Sequence, residues 1–420
     1  MSVPESIWRK NLTVCWFGMF VSSIGMSQIA PVLPLYVKQL GVQNTAAIEQ
    51  FSGIAFGVTF IMLAIFSPIW GKAADEYGRK PMLLRASLGM AIALFSMGFV
   101  RNIYQLIGLR LIMGTVAGYA VACTTLIATQ ADKKQVGQAL GTLATSTIAG
   151  SLLGPMVGGY IAENFRLQDV FFFTGLMLFI AFITTALFVE EKFEKPNEHT
   201  FNTRTIWKII PNKGLVITMF VTFFMLTLAL FSIEPIVTIY ITQLTHNTQH
   251  IALLAGLAFS ASGFASIIAA PRLGKLSDKI GPQKVMLGSL IVAGIIFIPQ
   301  AFVKTPAQLI VLRFMLGLVS AGLSPSINSL IKKITPDTIA GRVYGFNMAA
   351  GYLGLSGGAV LGGQIAAHFG IRDVFFVTST LLLLNALWVY FKVYKKLNLK
   401  GQPLTIEDNL NADEIPLLLK

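Results

Sequence analysis

Twelve long apolar runs constrain this chain more than any other feature of its sequence. Each holds about 20 mainly apolar residues, which is the length an α-helix needs to cross the hydrocarbon core of a bilayer. The expected spans are 12–37, 50–71, 81–100, 104–128, 138–162, 169–189, 213–242, 250–274, 284–303, 306–331, 341–366 and 372–396. The runs therefore predict an all-α, polytopic membrane protein with twelve transmembrane helices.

The amino-acid composition also indicates a membrane protein. Hydrophobic residues make up 54% of the 420 and charged residues only 12%, about half the charged fraction of a soluble protein. The net charge of +13 comes from basic residues dispersed in short loops, without the basic patch or motif of a nucleic-acid-binding protein. Cys15 and Cys123 lie inside apolar runs, so neither a disulfide framework nor a cysteine-rich metal site is expected.

The loop charges predict the orientation of the spans. Alternate loops, with both terminal segments and the linker after the sixth span, carry 25 lysines and arginines; the opposite loops carry five, and Arg110 and Arg313 inside spans complete the 32. Because basic loops stay in the cytoplasm, both termini are expected there, in a bacterial inner membrane. The expected divisions are a first bundle, 1–189, a cytoplasmic linker, 190–212, a second bundle, 213–396, and a cytoplasmic tail, 397–420.

The two halves of the chain repeat each other. Four motifs recur at an offset of 203 or 204 residues: IAPVLPLYV as IEPIVTIYI, GKAADEYG as GKLSDKIG, LRLIMG as LRFMLG, and QDVFFFT as RDVFFVT. Parallel repeats of six spans are typical of transporters that bind substrate at the repeat interface. We therefore expect two six-helix bundles that flank a central cavity.

Three motifs carry a family resemblance. The segment 71–80 resembles the loop signature of the major facilitator superfamily, Arg110 with Gly114 resembles the fourth-helix motif of its proton-coupled members, and 150–159 resembles its fifth-helix antiporter motif. Over residues 8–396 the sequence is similar to the twelve-helix drug:proton antiporters of that superfamily, the bacterial multidrug exporters. The resemblance implies a major facilitator fold and proton-driven transport without a cofactor.

The 71–80 loop is interpreted as a conformational latch. Gly71 has no Cβ and would allow two helices to approach closely. Asp75 is placed to pair with Arg79 or to lie at a helix N-terminus, where the helix dipole favours a negative charge. The second half keeps Asp278 but lacks the basic pair, so a weaker latch is expected there. The alternative is a solvated turn whose charges only set the topology.

The fifth-helix motif places three glycines on one face of a helix, since Gly150, Gly154 and Gly158 are four residues apart. Such a face forms a smooth groove for a neighbouring helix. Pro155, which removes one backbone hydrogen bond, and Gly159 complete the motif. This combination favours a flexible seam between two moving bundles, whereas small-residue packing without motion is the alternative.

Glu234 is the only one of the 19 acidic residues that lies clearly inside a span, and Glu49 lies at the edge of one. An ionisable residue inside a membrane is a functional-site hypothesis by default. Glu234 is therefore the expected proton-coupling carboxylate, although the resemblance does not demand one at this position and a structural pairing is the alternative. Arg110 is expected near the proton pathway by resemblance, and the case for its repeat partner, Arg313, is weaker.

The expected substrate site lies at the midplane between the bundles. Its candidate lining residues are Gln28, Tyr36, Phe231, Tyr240, Asn328 and Asn347. No HExxH or GxxxxGK[ST] motif indicates a metalloenzyme or a nucleotide-driven pump, and no metal site is expected. The sequence thus predicts a monomeric, proton-coupled exporter of amphiphilic small molecules that works by alternating access. A dedicated exporter of one metabolite, such as a siderophore, and a proton-coupled importer remain alternatives.

Overall fold

The computed structural model describes residues 5–131, 135–191, 193, 207, 210, 212–245 and 250–395, and these are almost entirely helical. The first half contains α1 (Glu5–Ser27), α2 (Ile29–Gln39), α3 (Thr45–Tyr77), α4 (Arg79–Met97), α5 (Ile103–Val116), α6 (Tyr119–Gln130), α7 (Val136–Asn164) and α8 (Leu167–Phe188). The second contains α9 (Lys213–Phe231), a 3₁₀ turn (Glu234–Ile236), α10 (Val237–Leu244), α11 (Ile251–Ile280), α12 (Pro282–Gln300), α13 (Pro306–Ser320), α14 (Leu323–Ile334), α15 (Asp337–Phe369) and α16 (Ile371–Val389), which continues as a π-helix (Tyr390–Tyr394).

These helices form twelve membrane-crossing segments, as the apolar runs predicted. Within the described ranges, ten segments are long and apolar enough to cross a bilayer, and the bent pair α1–α2 adds an eleventh. The remaining segment is α15, whose 33 residues are long enough but whose many glycines dilute its hydropathy. The all-α, twelve-helix prediction is confirmed.

Four segments that the sequence predicted as unbroken helices are interrupted. A 44° bend separates α1 from α2, and Ala117 and Gly118 separate α5 from α6, where Gly118 has a φ of +122° that favours glycine. The breaks at the 3₁₀ turn and at Ala321–Gly322 occupy the equivalent places in the second half. The repeat therefore extends to the helix breaks, which hydropathy averaged over a span does not detect.

Packing within each half builds one bundle. In the first half α1 packs against α7 and α8, α3 against α5, and α4 against α8. In the second half α9 packs against α15 and α16, α11 against α13, and α12 against α16. The halves meet where α3 packs against α15, α7 against α11, and α2 against α10 and α11. We call the first two of these contacts the α3–α15 seam and the α7–α11 seam.

Glycines bring the helix backbones together at both seams. A Cβ at Gly53 or Gly363 would lie within 3.0 Å of a backbone carbonyl oxygen across the α3–α15 seam, and the same holds for Gly159 and Gly256 across the α7–α11 seam. Such close approach gives extensive van der Waals contact in lipid, where no hydrophobic force drives helices together. Of the predicted linker, the structure describes residues 190, 191, 193, 207, 210 and 212 only, and the predicted tail lies outside the described residues.

Candidate functional site

A cavity of about 880 Å³ lies between the two bundles. Most of its wall comes from α1, α3, α4, α6 and α7, with aromatic rings, methionines and serine hydroxyls among the lining side chains. The second bundle contributes Phe231, Glu234, Phe259, Ser262, Gly263 and Tyr352. An apolar cavity with few polar groups is the usual form of a small-molecule site.

The cavity is open at one end of the molecule and closed at the other. Gly71, Asp75 and Arg85 line it, so it reaches the end that carries the turn between α3 and α4, which we call the open end. At the opposite, closed end the backbone N–H of His250 donates to Glu163 Oε1 over 2.7 Å and joins the two bundles. The structure is thus one of the two end states that alternating access requires.

Glu234 lies at the helix break between α9 and α10, as the first residue of the 3₁₀ turn. Its Oε1 is 3.7 Å from Nη1 of Arg313, whose side chain is only 3% exposed against 21% for Glu234. The break directs the carboxylate into the cavity wall, where Arg313 supplies an opposite charge in a medium of low dielectric constant. The pair therefore places a carboxylate on the cavity wall and its opposite charge directly behind it.

Arg313 has few other partners. Its Nε and Nη2 groups are buried and find no hydrogen-bond acceptor among the described residues, and its guanidinium carbon is 5.8 Å from the centre of the Phe259 ring. The charge of Arg313 consequently depends on Glu234 for compensation. From the sequence, the case for a functional role was weaker for Arg313 than for Arg110. The internal repeat, which places the two arginines at equivalent positions, was the signal that could have strengthened the case for Arg313.

Arg110 is held by backbone carbonyl groups, and its expected place near the proton pathway stays a prediction. It is 1% exposed, and its Nε and Nη2 donate to the backbone oxygens of Ala55 (2.8 Å) and Phe56 (3.4 Å). No carboxylate pairs with it among the described residues. The arginine therefore ties α5 to α3, while the acidic partner in this molecule belongs to Arg313.

Five of the six predicted substrate residues do not line the cavity; Phe231 does. Gln28 accepts a hydrogen bond from Thr174, and the hydroxyls of Tyr36 and Tyr240 donate to backbone oxygens of their own bundles. Asn347 is fully buried, and Asn328 is half-buried. Polar groups inside a membrane are most stable when they pair within the protein, and three of these residues do so.

The ion pair predicted in the 71–80 loop is present, and its role as a latch stays a prediction. Arg79 Nη2 lies 3.2 Å from Asp75 Oδ1, and Asp75 lines the cavity at the open end. The close-approach role predicted for Gly71 is wrong for this state, because a Cβ there would meet no atom within 4 Å. Asp278 is exposed and forms no ion pair with the residues that the structure describes.

Glu191 is a partner of this latch that the sequence did not indicate. Its carboxylate accepts hydrogen bonds from the backbone N–H groups of Arg79 (2.9 Å) and Lys80 (2.6 Å), which begin α4. A negative charge at a helix N-terminus is favourable. The segment that follows α8 is thereby attached to the predicted latch, a contact between residues more than 100 apart that no local pattern signals.

The fifth-helix motif packs in two directions. Gly150 and Gly154 lie against α1 in their own bundle, and Gly158 lies against Gln28, which follows α1; a Cβ at any of the three would come within 3.0 Å of another atom. Gly159 and the carbonyl of Pro155 instead lie against Ala252 and Gly256 across the α7–α11 seam. The glycine face predicted from the sequence exists, and the motif also serves the contact between the bundles.

Comparison with known proteins agrees with this architecture. The structure resembles that of a bacterial homologue of the human lysosomal transporter Spinster in an inward-facing, occupied conformation, with a TM-score of 0.78. The two sequences are 11% identical, and the match covers 94% of this chain and 99% of the homologue. Its TM-score to the nucleoside transporter NupG is 0.72, at 14% identity and with 91% and 100% covered. At these identities the likeness concerns the fold.

Sequence relatives are much closer. The chain is 40% identical to the multidrug resistance protein MdtG of Yersinia enterocolitica over 98% of its own length and 100% of the relative's. It is 42% identical to MdtG of Salmonella paratyphi A over 91% and 95% of the two chains. The Major Facilitator Superfamily profile matches residues 15–256 and again 220–407. The chain belongs to the Major Facilitator Superfamily.

Proposed function

We propose that the protein exports amphiphilic small molecules in exchange for protons, as a multidrug efflux transporter. Relatives at 40–42% identity bear the name multidrug resistance protein, and the apolar cavity suits substrates of that chemistry. The proposal includes an inner-membrane location with the open end toward the cytoplasm, because the basic loops lie at that end. It also includes a monomer with no cofactor, no catalytic step and no nucleic-acid partner.

The Glu234–Arg313 pair is the observation that carries the coupling. A proton on Glu234 removes the negative charge that compensates Arg313, so protonation changes the balance of charge on the cavity wall. A cationic substrate would compete with that proton for the same carboxylate. Phe231 and Phe259, which line the cavity beside it, offer ring faces that attract cations.

Alternating access follows from the same geometry. Substrate enters the open end from the cytoplasm, the two seams separate at the closed end, and the open end shuts. Protonation of Glu234 from outside then displaces the substrate, and the return step delivers the proton to the cytoplasm. The free-energy source is the proton gradient, and no nucleotide motif provides another.

Uptake of a fluorescent cationic dye into inside-out vesicles tests this proposal. We expect wild-type protein to accumulate dye and dissipate the pH gradient, and Glu234→Gln to do neither, because glutamine keeps the shape of the side chain but cannot ionise. Asp373→Asn, an exposed carboxylate outside the cavity, is the charge-removing control and should transport normally. Dye transport by Glu234→Gln at the wild-type rate would contradict the role of this carboxylate.

A further inference from the structure

Besides Glu234 on the cavity wall, a second acidic residue is buried, and this one lies at the closed end. Glu49 is 3% exposed and lies on α3, whose N-cap is Asn44, although the sequence had placed it only at the edge of a span. No described residue forms a hydrogen bond or ion pair with its carboxylate. Glu49 does not line the cavity, so the transport steps described above do not use it.

Glu49 lies in the α3–α15 seam. Its carbonyl oxygen is 2.5 Å from the position that a Cβ on Gly363 would occupy, and one turn later Gly53 lies against Ala359. Glu49, Gly53 and Gly57 are four residues apart and share one face of α3, and Gly57 lies against Ser356 of α15. The side of α3 that carries Glu49 must therefore leave α15 when the closed end opens.

No positive charge compensates Glu49 among the elements that pack against this part of α3. On α2 and α15 the charged or titratable groups nearest the closed end are Lys38 and His368, and both are exposed. The 3₁₀ turn presents Glu234, which is paired with Arg313. On α5, Arg110 donates to backbone carbonyls, and the basic residues of α4 begin the helix at the open end. Burying a carboxylate without an opposite charge is unfavourable, so the closed seam accommodates the neutral acid.

We propose that Glu49 is a second protonation site of the transport cycle, whose neutral form is required for the α3–α15 seam to close. When the seam opens, the Glu49 O–H bond transfers its proton to water and the carboxylate is hydrated. The seam closes again only after an outside water-borne proton has reformed that bond. Closure of the outer end is thereby gated by the pH of the outer solution, and the proton returns to that solution when the seam next opens. This inference rests on the proposed function, and it adds a pH-responsive group that faces the outer solution instead of the cavity.

Two spin labels across the closed end measure this directly. Phe165 and Phe369 are 63% and 75% exposed at the outer ends of α7 and α15, and the native Cys15 and Cys123 are buried, so cysteines introduced at the two phenylalanines can be labelled selectively. In lipid nanodiscs, we expect the inter-label distance of the Glu49-containing protein to lengthen as pH rises from mildly acidic to mildly alkaline. Glu49→Gln should lose this response and keep the short distance throughout.

Matched variants separate this inference from the proposed function. Glu49→Asp keeps a titratable group and should retain the pH response, and Glu234→Gln should retain it even though its dye transport is lost. A pH response in Glu49→Gln equal to wild type, or no response in wild type, would overturn the role of Glu49. If the wild-type protein failed to transport dye but its inter-label distance still responded to pH, the result would count against the proposed function alone.

Discussion

At the scale of single residues, Glu234 and Arg313 show how a helix break creates chemistry inside a membrane. The 3₁₀ turn presents the carboxylate to the cavity, and the arginine reaches it from α13 with two N–H groups that find no acceptor in the described part of the chain. Removing one partner of a buried ion pair costs about 3–5 kcal/mol because the other charge is left uncompensated. Each residue of the pair therefore affects how much the other contributes to the stability of the fold, as well as taking part in the proposed transport.

Arg313→Gln tests that coupling. We expect it to abolish proton-coupled dye accumulation and to lower the thermal unfolding temperature in detergent, by less than a fully buried pair would because Glu234 keeps 21% exposure. The double variant Glu234→Gln with Arg313→Gln should recover part of the lost stability without recovering transport. Arg101→Gln, at an exposed position, is the control. Strictly additive losses of stability would contradict a direct interaction.

The sequence identified Glu234 because a lone carboxylate inside an apolar run is costly and conspicuous. It could not identify the partner, since Arg110 and Arg313 occupy equivalent repeat positions and only tertiary packing assigns one to carbonyl groups and the other to a carboxylate. Five of the six predicted substrate residues lie outside the cavity for a related reason. Gln28 and Tyr36 satisfy their own bundle's packing and hydrogen bonds, which periodicity does not reveal.

At the scale of elements, glycine spacing separates helix contacts within a bundle from those between bundles. Gly150 and Gly154 of α7 lie against α1 and Gly158 lies against Gln28 just after it, whereas Gly159 lies against α11. In α15, Gly354 and Gly358 lie against α9 and Gly362 lies against Ser232 just after it, whereas Gly363 lies against α3. The two halves thus build their seams in the same way. The glycine faces could be predicted from the sequence, but which neighbour covers each face could not.

Gly159→Ala tests the α7–α11 seam. The added Cβ would fall within 3.0 Å of the Ala252 carbonyl oxygen, and overpacking of this kind costs about 1–3 kcal/mol. Because the strain exists only when the closed end is shut, we expect the variant to shift toward the state that is open at that end. Faster reaction of a cysteine at Ile251, a buried residue at the closed end of α11, with a membrane-impermeant maleimide measures the shift.

Gly141→Ala is the matched control for Gly159→Ala, because it lies on the same helix and its Cβ would meet no atom within 4 Å. It should leave cysteine reactivity and transport unchanged and stabilise α7 slightly, since alanine favours a helix over glycine by about 1 kcal/mol. Equal effects of the two substitutions would show that helix propensity, not the seam, is responsible.

At the scale of the whole molecule, the repeat divides the work unevenly. The first half supplies most of the cavity wall and the Asp75–Arg79 pair, whereas the second half supplies the Glu234–Arg313 pair. Two bundles of one fold therefore hold different functions, and the closed end is where both must separate. At that end the contact of Glu163 with His250 joins the two bundles. A covalent cross-link between these two positions would hold the bundles together there.

Cysteines at Glu163 and His250, joined by a short bifunctional thiol reagent, should lock the closed end. We expect the cross-linked protein to bind dye from the cytoplasmic side with nearly unchanged affinity but to lose vesicle accumulation, because the cavity stays open at one end only. The uncross-linked double variant controls for loss of the native contact. Cleavage of the cross-linking reagent should restore transport. Transport that persists in fully cross-linked protein would mean that substrate leaves by a route other than separation of the two seams.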